Sequence, residues 1–499
     1  MNGAIWVLLI VLVLFATTLL MHRFIDGKLP FVRLPVTWFY GSWILGLFLL
    51  TMPLFKYFEA FNELSAAYLV AVLLSFSTGS VAAAFWNHRR NRKPLPAGSP
   101  DNVAAFGAVN VSSRWIYSLL TMGLIGTALL MLNTLLGGSL SLTDRFDSDN
   151  FGAVRAAHMM AAESRIGPLF GPATLMSSIG GLGVAFVFYL RGSRLAAIEN
   201  FRLMFRLAIL VLLINVVIGI VGFGSRMFAV FAVVIAFVAF LEGRWSIGET
   251  ILVKKPSLRG VLVILCAALV TLVVLWSAAT VFLEKRVQQQ SPQSLLFRTH
   301  RASFDPVLYS LTRNDKAAQY FFFSLSYFTT PIPTLAFYLD LPESHQPGPF
   351  FGEYNFPAIA RWTRRLTFSG DPYAWDKARF EVFRPLGDIG FGMNVWSTLI
   401  RDLIADFGKL GTLLFLAFVG FASQRVFDKQ SATPNARMAG LLVYLRLVLV
   451  FAGLVSVLFM PQIHWPLYLA IILVSIRIGA SRGKTTFSPI DRRRVHSRN

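Results

Sequence analysis

The stretch NVWSTLIRDLIADFGKLGTLLFLAFVGFA, residues 394–422, holds two kinds of chain in one run. Its first half carries Arg401, Asp402 and Asp406, and its second half is an almost uninterrupted apolar segment from Phe407 to Ala422. On a helix, Thr398, Asp402 and Asp406 stand at i, i+4 and i+8 and so share a face. The pattern predicts a polar helix that runs directly into a membrane span. About 20 largely apolar residues suffice to cross a bilayer, and the rest of the chain offers many more such segments.

Working outward, the apolar candidates are Ile5 to Met21, Trp38 to Leu54, Ala66 to Trp86, Trp115 to Leu136 and Leu169 to Leu190. A tight pair follows, Leu207 to Val221 and Met227 to Leu241, then Val261 to Leu283. Phe407 to Ala422, Met438 to Met460 and Trp465 to Ile478 close the series, which makes about eleven spans. Composition agrees. The 499 residues are 55% hydrophobic and only 14% charged, with a mean hydropathy of +0.61, where soluble domains carry about 25% charged residues. The expected fold class is an all-α polytopic membrane protein.

The net charge of +21 does not point to nucleic acid, because the basic residues alternate with the spans. Met1 to Trp6 lacks the basic start of a cleaved signal peptide, so the first apolar run reads as a span with its N-terminus outside. The segments then expected inside hold Arg23, Lys28 and Arg33, then Arg89 to Lys93 and Arg114, then Arg191 to Arg206, Arg244 to Arg259, and Arg425 to Arg437. The tail 481–499 adds Arg492, Arg493 and Arg494. Short outer connections hold few basic residues. This is the positive-inside pattern, and the basic tail fits an anionic lipid surface. Residues 1–283 are thus eight spans, 284–406 one large outer loop domain, and 407–480 three further spans. The apolar stretch Tyr320 to Tyr338 would invert that scheme if it crossed. Pro331 and Pro333 break it, so it reads as a broken or re-entrant element at the outer interface. The lone Cys266 lies in an apolar run and permits no disulfide within the chain.

Residues with chemical potential cluster on the outer side. Gly222-Phe-Gly-Ser-Arg226 forms the turn of the tight pair. Its glycines allow close backbone approach, and a guanidinium there suits a phosphate; a snorkelling arginine is the alternative. In the opening stretch, Arg401 reads as functional, and a carboxylate of Asp402 or Asp406 as either a general base or part of a helix cap. The loop interleaves Arg384 and its other arginines with Tyr354, Trp362 and Trp396, which suits sugar stacking and phosphate clamping or equally a headgroup-level interface. Arg446 sits inside an apolar span and reads as a snorkelling or helix-pairing group. His158, His345 and His464 carry only weak signals as bases. No nucleotide-binding or metal-binding motif occurs.

Three stretches together resemble the Wzy-type O-antigen and oligosaccharide repeat-unit polymerases. They are the Gly-Ser-Arg226 turn; Tyr327-Phe-Thr-Thr-Pro-Ile-Pro-Thr-Leu-Ala-Phe with Gly348-Pro-Phe-Phe-Gly-Glu-Tyr354; and Asn394-Val-Trp-Ser-Thr with Arg401, Asp406-Phe-Gly408 and Gly411. Trp396 stands where the family pattern carries Tyr. The resemblance spans roughly Gly222 to Ala422. It implies a fold like the GT-C class with a large periplasmic loop. The activity it implies is transfer of a growing glycan from undecaprenyl diphosphate to the non-reducing end of an incoming lipid-linked unit, with no cofactor, metal or nucleic acid. A chain-length regulator is an implied partner. Arg226 and Arg401 would hold the diphosphate, and Asp402 or Asp406 would serve the acceptor. Asn394, Trp396, Arg384, Tyr354 and Tyr327 would contact substrate. The related O-antigen ligases carry His before the residue at Asn394, where Met393 stands here. A flippase-type transporter would show internal repeats, and none is seen.

Overall fold

In the computed structural model, the described residues are chiefly 33–58, 63–90, 112–136, 170–193, 200–217, 226–246, 291–341, 348–367, 398–432 and 434–475, with short pieces elsewhere. The membrane-type helices are α1 (Pro35–Thr51), α2 (Glu63–Arg90), α3 (Ser113–Leu136), α4 (Phe170–Gly192), α5 (Phe201–Val217) and α6 (Arg226–Ser246). Shorter helices follow: α7 (Pro292–His300), α8 (Pro306–Thr312), α9 (Lys316–Thr329), α10 (Pro331–Asp340) and α11 (Pro357–Thr367). The chain returns to long apolar helices in α12 (Leu399–Ala432), α13 (Ala436–Phe451) and α14 (Pro461–Ser475). Among the described residues four helices, α2, α3, α4 and α12, are long and apolar enough to cross a membrane. The fold is therefore that of an all-α membrane protein. Its expected first span is described only at 11–13 and 15–17, and Val261 to Leu283 lies outside the described residues.

Local chemistry fixes the ends. Pro35 opens α1 at its first turn, where a missing N–H costs nothing. Asp315 caps α9 by accepting from the Ala318 N–H at 2.9 Å. Asn435 does the same for α13 through Arg437 N–H.

The long helices approach one another most closely at small residues and hydroxyls, as membrane helices do. A side chain on Gly79 or Gly420 would overlap the backbone of the facing helix in the α2–α12 pair. Ser80 donates across that contact to the Gly420 carbonyl at 3.2 Å, and Tyr68 to the Lys409 carbonyl at 2.8 Å. Gly123 and Gly180 bring α3 and α4 into similar contact.

Contacts sort the helix ends into two groups. At one end Tyr117 meets Asn200, Asn87 meets Asp428, and Gln430 meets Tyr189. Arg33, Arg114, Arg191, Arg202, Arg244, Arg425 and Arg437 all lie near this end. The opposite end carries a two-stranded ribbon, β1 (Phe55–Tyr57) against β2 (Ala302–Phe304), antiparallel with Phe55 opposite Phe304. That ribbon ties the α1–α2 connection to the segment before α12. A small aromatic core of Leu296, Phe304, Tyr320 and Phe323 sits beneath it.

The structure sharpens the sequence reading at three places. Helix α12 begins at Leu399, capped by Thr398, whose hydroxyl accepts from Arg401 N–H at 3.2 Å. Residues 399–406 are therefore helical, as their pattern predicts, and they are buried. The stretch 320–338 is broken as expected, between Thr329 and Pro331. Its second half, however, is packed into the main core through Ile332, Leu335, Tyr338 and Leu339 instead of resting at an interface. Apolar residues across one whole helix turn drive that burial. The span expected over Met438 to Met460 is helical only to Phe451, and the irregular residues 452–458 stay buried.

Candidate functional site

The site is built where helices stop being regular. Gly408 takes φ 68 and ψ 177 inside α12, a backbone state that glycine adopts almost alone, and it separates the polar first two turns from the apolar remainder. The break between α9 and α10 and the unwound segment after Phe451 lie at the same end. Leu399 N–H donates to the Ala452 carbonyl at 2.9 Å, which fastens the start of α12 to the unwound end of α13. Irregular backbone at membrane depth persists only where protein buries it or where it lines a cavity.

Arg401 and Asp402 have no solvent exposure. The guanidinium grips its neighbour's carboxylate, Nη2 to Oδ1 at 2.9 Å and Nε to the same oxygen at 3.2 Å. Tyr338 of α10, also fully buried, lies within electrostatic reach of both. Such a pair, taken out of water, is costly unless its geometry is good, so the surrounding fold must hold it in place.

Asp406, one turn on, is a clamp. Its carboxylate accepts from Tyr354 N–H at 2.9 Å, Asn355 N–H at 2.9 Å and the Asn355 side-chain amide at 2.7 Å. Asn355 also donates to the Asp402 carbonyl at 2.9 Å and accepts from the Ser456 hydroxyl at 3.1 Å. Phe350 and Phe351 N–H groups donate to the Ala405 and Asp406 carbonyls. Gly348 permits that approach, since a side chain there would meet the Ala405 carbonyl. The segment 348–356 is thus laid along α12 by a set of backbone bonds centred on one carboxylate.

No family model, no curated protein and no solved structure matches this chain. The site therefore stands on its own geometry.

The sequence-derived residues divide sharply. Arg401, Asp402, Asp406 and Tyr354 are brought together. Tyr327 is not: it packs on the His300 ring at 5.0 Å in the small aromatic core. Arg384 is exposed. Arg226 opens α6, but its side chain lies outside the described residues, as do Asn394, Trp396, His158 and His345. His464 is buried against Trp465 and Tyr468. With three donors already on its carboxylate, Asp406 fits the positioning role better than that of a free base.

Asn355 and Ser456 escaped the sequence reading. Asn355 follows Tyr354 directly, at the end of the glycine-rich GPFFGEY stretch, and that adjacency was the available signal. Glu242 was missed as well. It is buried and ion-paired with Arg446, whose Nη2 also donates to the Arg33 carbonyl at 2.8 Å. Trp38 and Trp245 lie against the Arg446 guanidinium at 5.1 and 4.9 Å. Arg446 thus pairs helices and does not snorkel.

Proposed function

We propose that this protein is a glycan polymerase of the bacterial inner membrane. It transfers a growing chain from undecaprenyl diphosphate to the non-reducing end of an incoming lipid-linked repeat unit. The observation that supports the reading is convergence. Residues 331–340, 348–356 and 398–408, far apart in sequence, meet around the buried Arg401–Asp402 pair. Two of the three stretches that carry the polymerase resemblance are among them.

In this reading about eleven spans cross the bilayer, in a GT-C-like arrangement. The arginine-rich helix ends face the cytoplasm, and the Arg401 end and the large loop face the periplasm. The reaction breaks the bond between the anomeric carbon and the diphosphate and forms one to an acceptor hydroxyl. The hydroxyl proton passes to the Asp402 carboxylate, and the lipid diphosphate departs with the electron pair of the broken bond. Cations are needed on that leaving group, and Arg226 and Arg401 take this role. Because Arg401 is fully buried, it meets the diphosphate only when the packing around it opens. Asp402, released from the ion pair by that contact, is the group nearest the acceptor. Asp406 positions the segment. Tyr354, Asn394, Trp396, Arg384 and Tyr327 are the sugar contacts of this reading. A chain-length regulator is its expected partner.

The test is genetic. Deletion of the gene is expected to collapse the lipopolysaccharide ladder to core plus one repeat unit. Wild type restores the ladder, while Arg401→Ala or Arg226→Ala at matched membrane abundance does not. Core without any repeat would indicate a ligase or a transporter, and an unchanged ladder would remove the O-antigen assignment.

A further inference from the structure

A groove of about 560 Å³ opens beside the clamp, between segment 351–356, helix α11 and the start of the apolar part of α12. That size falls within the ~300–1,000 Å³ of small-molecule sites. Phe351, Phe356, Ile359 and Phe407 wall it, and its one charged pair, Arg364 with Glu353 (Nε to Oε1 at 2.9 Å), is self-neutralised.

Three features say what fills it. Phe351 is 82% exposed and held at φ 51, a conformation uncommon for bulky side chains. Its N–H bond to the Asp406 carbonyl at 2.8 Å keeps it there. A large ring locked outward by the clamp itself is a contact surface, not a stray core residue. Next, beyond the groove residue Phe407, α12 carries Leu410, Leu414 and Phe418 as an exposed apolar stripe at i, i+4 and i+8. Phe407, the groove residue from α12, stacks on Phe415 of the same helix at 5.1 Å. Last, the groove abuts the candidate site: Phe407 follows Asp406, and Gly352 and Glu353 precede Tyr354. An occupant entering from the lipid leaves its polar head at the clamp.

We propose that this groove holds the isoprenoid chain of the lipid carrier, inserted from the bilayer along α12. The identity of that lipid rests on the polymerase reading. The ring-lined wall and the neutral rim suit a long hydrocarbon, and the groove ends at the stretch of α12 that carries Arg401, the cation assigned to the diphosphate.

The experiment uses the full-length protein in lipid nanodiscs, labelled with a diazirine-bearing polyprenyl diphosphate and, separately, a diazirine-bearing phosphatidylethanolamine. Cross-linked peptides are mapped by mass spectrometry. Prenyl labelling is expected at 351–363 and 407–414, competed by unlabelled polyprenyl diphosphate and not by excess phospholipid. Thr363→Trp, which fills the groove from an exposed position, is expected to weaken labelling roughly tenfold. Equal, uncompeted labelling by both probes would reduce the groove to ordinary bilayer contact and overturn the inference, as would prenyl labelling confined to other helices. The competition on wild type decides the matter even where Thr363→Trp fails to fold. Groove labelling without any polymerisation would sink the polymerase reading alone; polymerisation with labelling elsewhere would sink the groove alone.

Discussion

A carboxylate in a polar helix turn can be a base or a brace, and Asp406 shows how hydrogen bonds decide. Its three N–H donors come from two consecutive residues of one segment. Replacing it with Asn turns part of the acceptor into an amide that faces donors and leaves a buried N–H unpaired, a loss of about 1–3 kcal/mol. Asp406→Asn is expected to lower the melting temperature in detergent and to speed amide exchange at Phe350 and Phe351, with Glu unable to restore the geometry. Unchanged exchange would remove the clamp. Glu242 makes a parallel case. Glu242→Gln strands Arg446 beside Arg33, and loss of one partner of a buried pair costs about 3–5 kcal/mol. The double variant Glu242→Leu with Arg446→Met is expected to melt above Glu242→Gln, because it also removes the orphan charge. At this scale sequence was only partly legible. Asp406, Asp402 and Arg401 announce themselves as charges beside an apolar run. Asn355 and Ser456 do not, because their roles exist only once segment 348–356 is folded back, and Glu242 hides at the last turn of an apolar helix.

Among the elements, regular helices were easiest to foresee. Apolar length alone places α1 to α6 within a few residues. Irregular ones were foreseen only where proline marks them, as at Pro331. The unwinding after Phe451 has no such mark and follows from tertiary bonds: Gly453 N–H donates to the Ser42 hydroxyl at 3.1 Å, and Ala452 accepts from Leu399. The helix break before α10 is held by a polar knot. Tyr57 bonds the Thr329 hydroxyl, and His300 Nδ1 meets Thr330 Oγ1 at 2.5 Å. Burial pushes His300 down to about 3, against about 6.5 in an unfolded chain. The unfolded state therefore binds the extra proton between those values. The stability contributed is complete above about pH 6.5 and is lost as pH falls, by up to about 1.4 kcal/mol per unit. Melting temperature is expected to drop from pH 7 to pH 5 more steeply in wild type than in His300→Gln. Parallel curves would show that His300 protonates without cost.

At the scale of the molecule, two ends with different chemistry oppose each other. One gathers arginines and the Glu242–Arg446 pair; the other gathers the ribbon, the broken helices and the clamp. Alternation of basic and non-basic connections predicted that division, and the inter-helix contacts agree with it. What sequence left open was depth: the apparent loop before α12 contributes α10 to the central core because its apolar face has no other place to go. Glycan transfer at the clamp end is the proposed reaction. It is tested most directly with purified protein in proteoliposomes given a lipid-linked repeat unit, with products separated by length and released undecaprenyl diphosphate measured. The expected result is a ladder of lipid-linked oligomers, one diphosphate released per bond formed, and loss of both in Arg401→Ala with the protein still folded. Monomer remaining intact under conditions where wild type is folded and lipid-bound, or a ladder undiminished in Arg401→Ala, would contradict it.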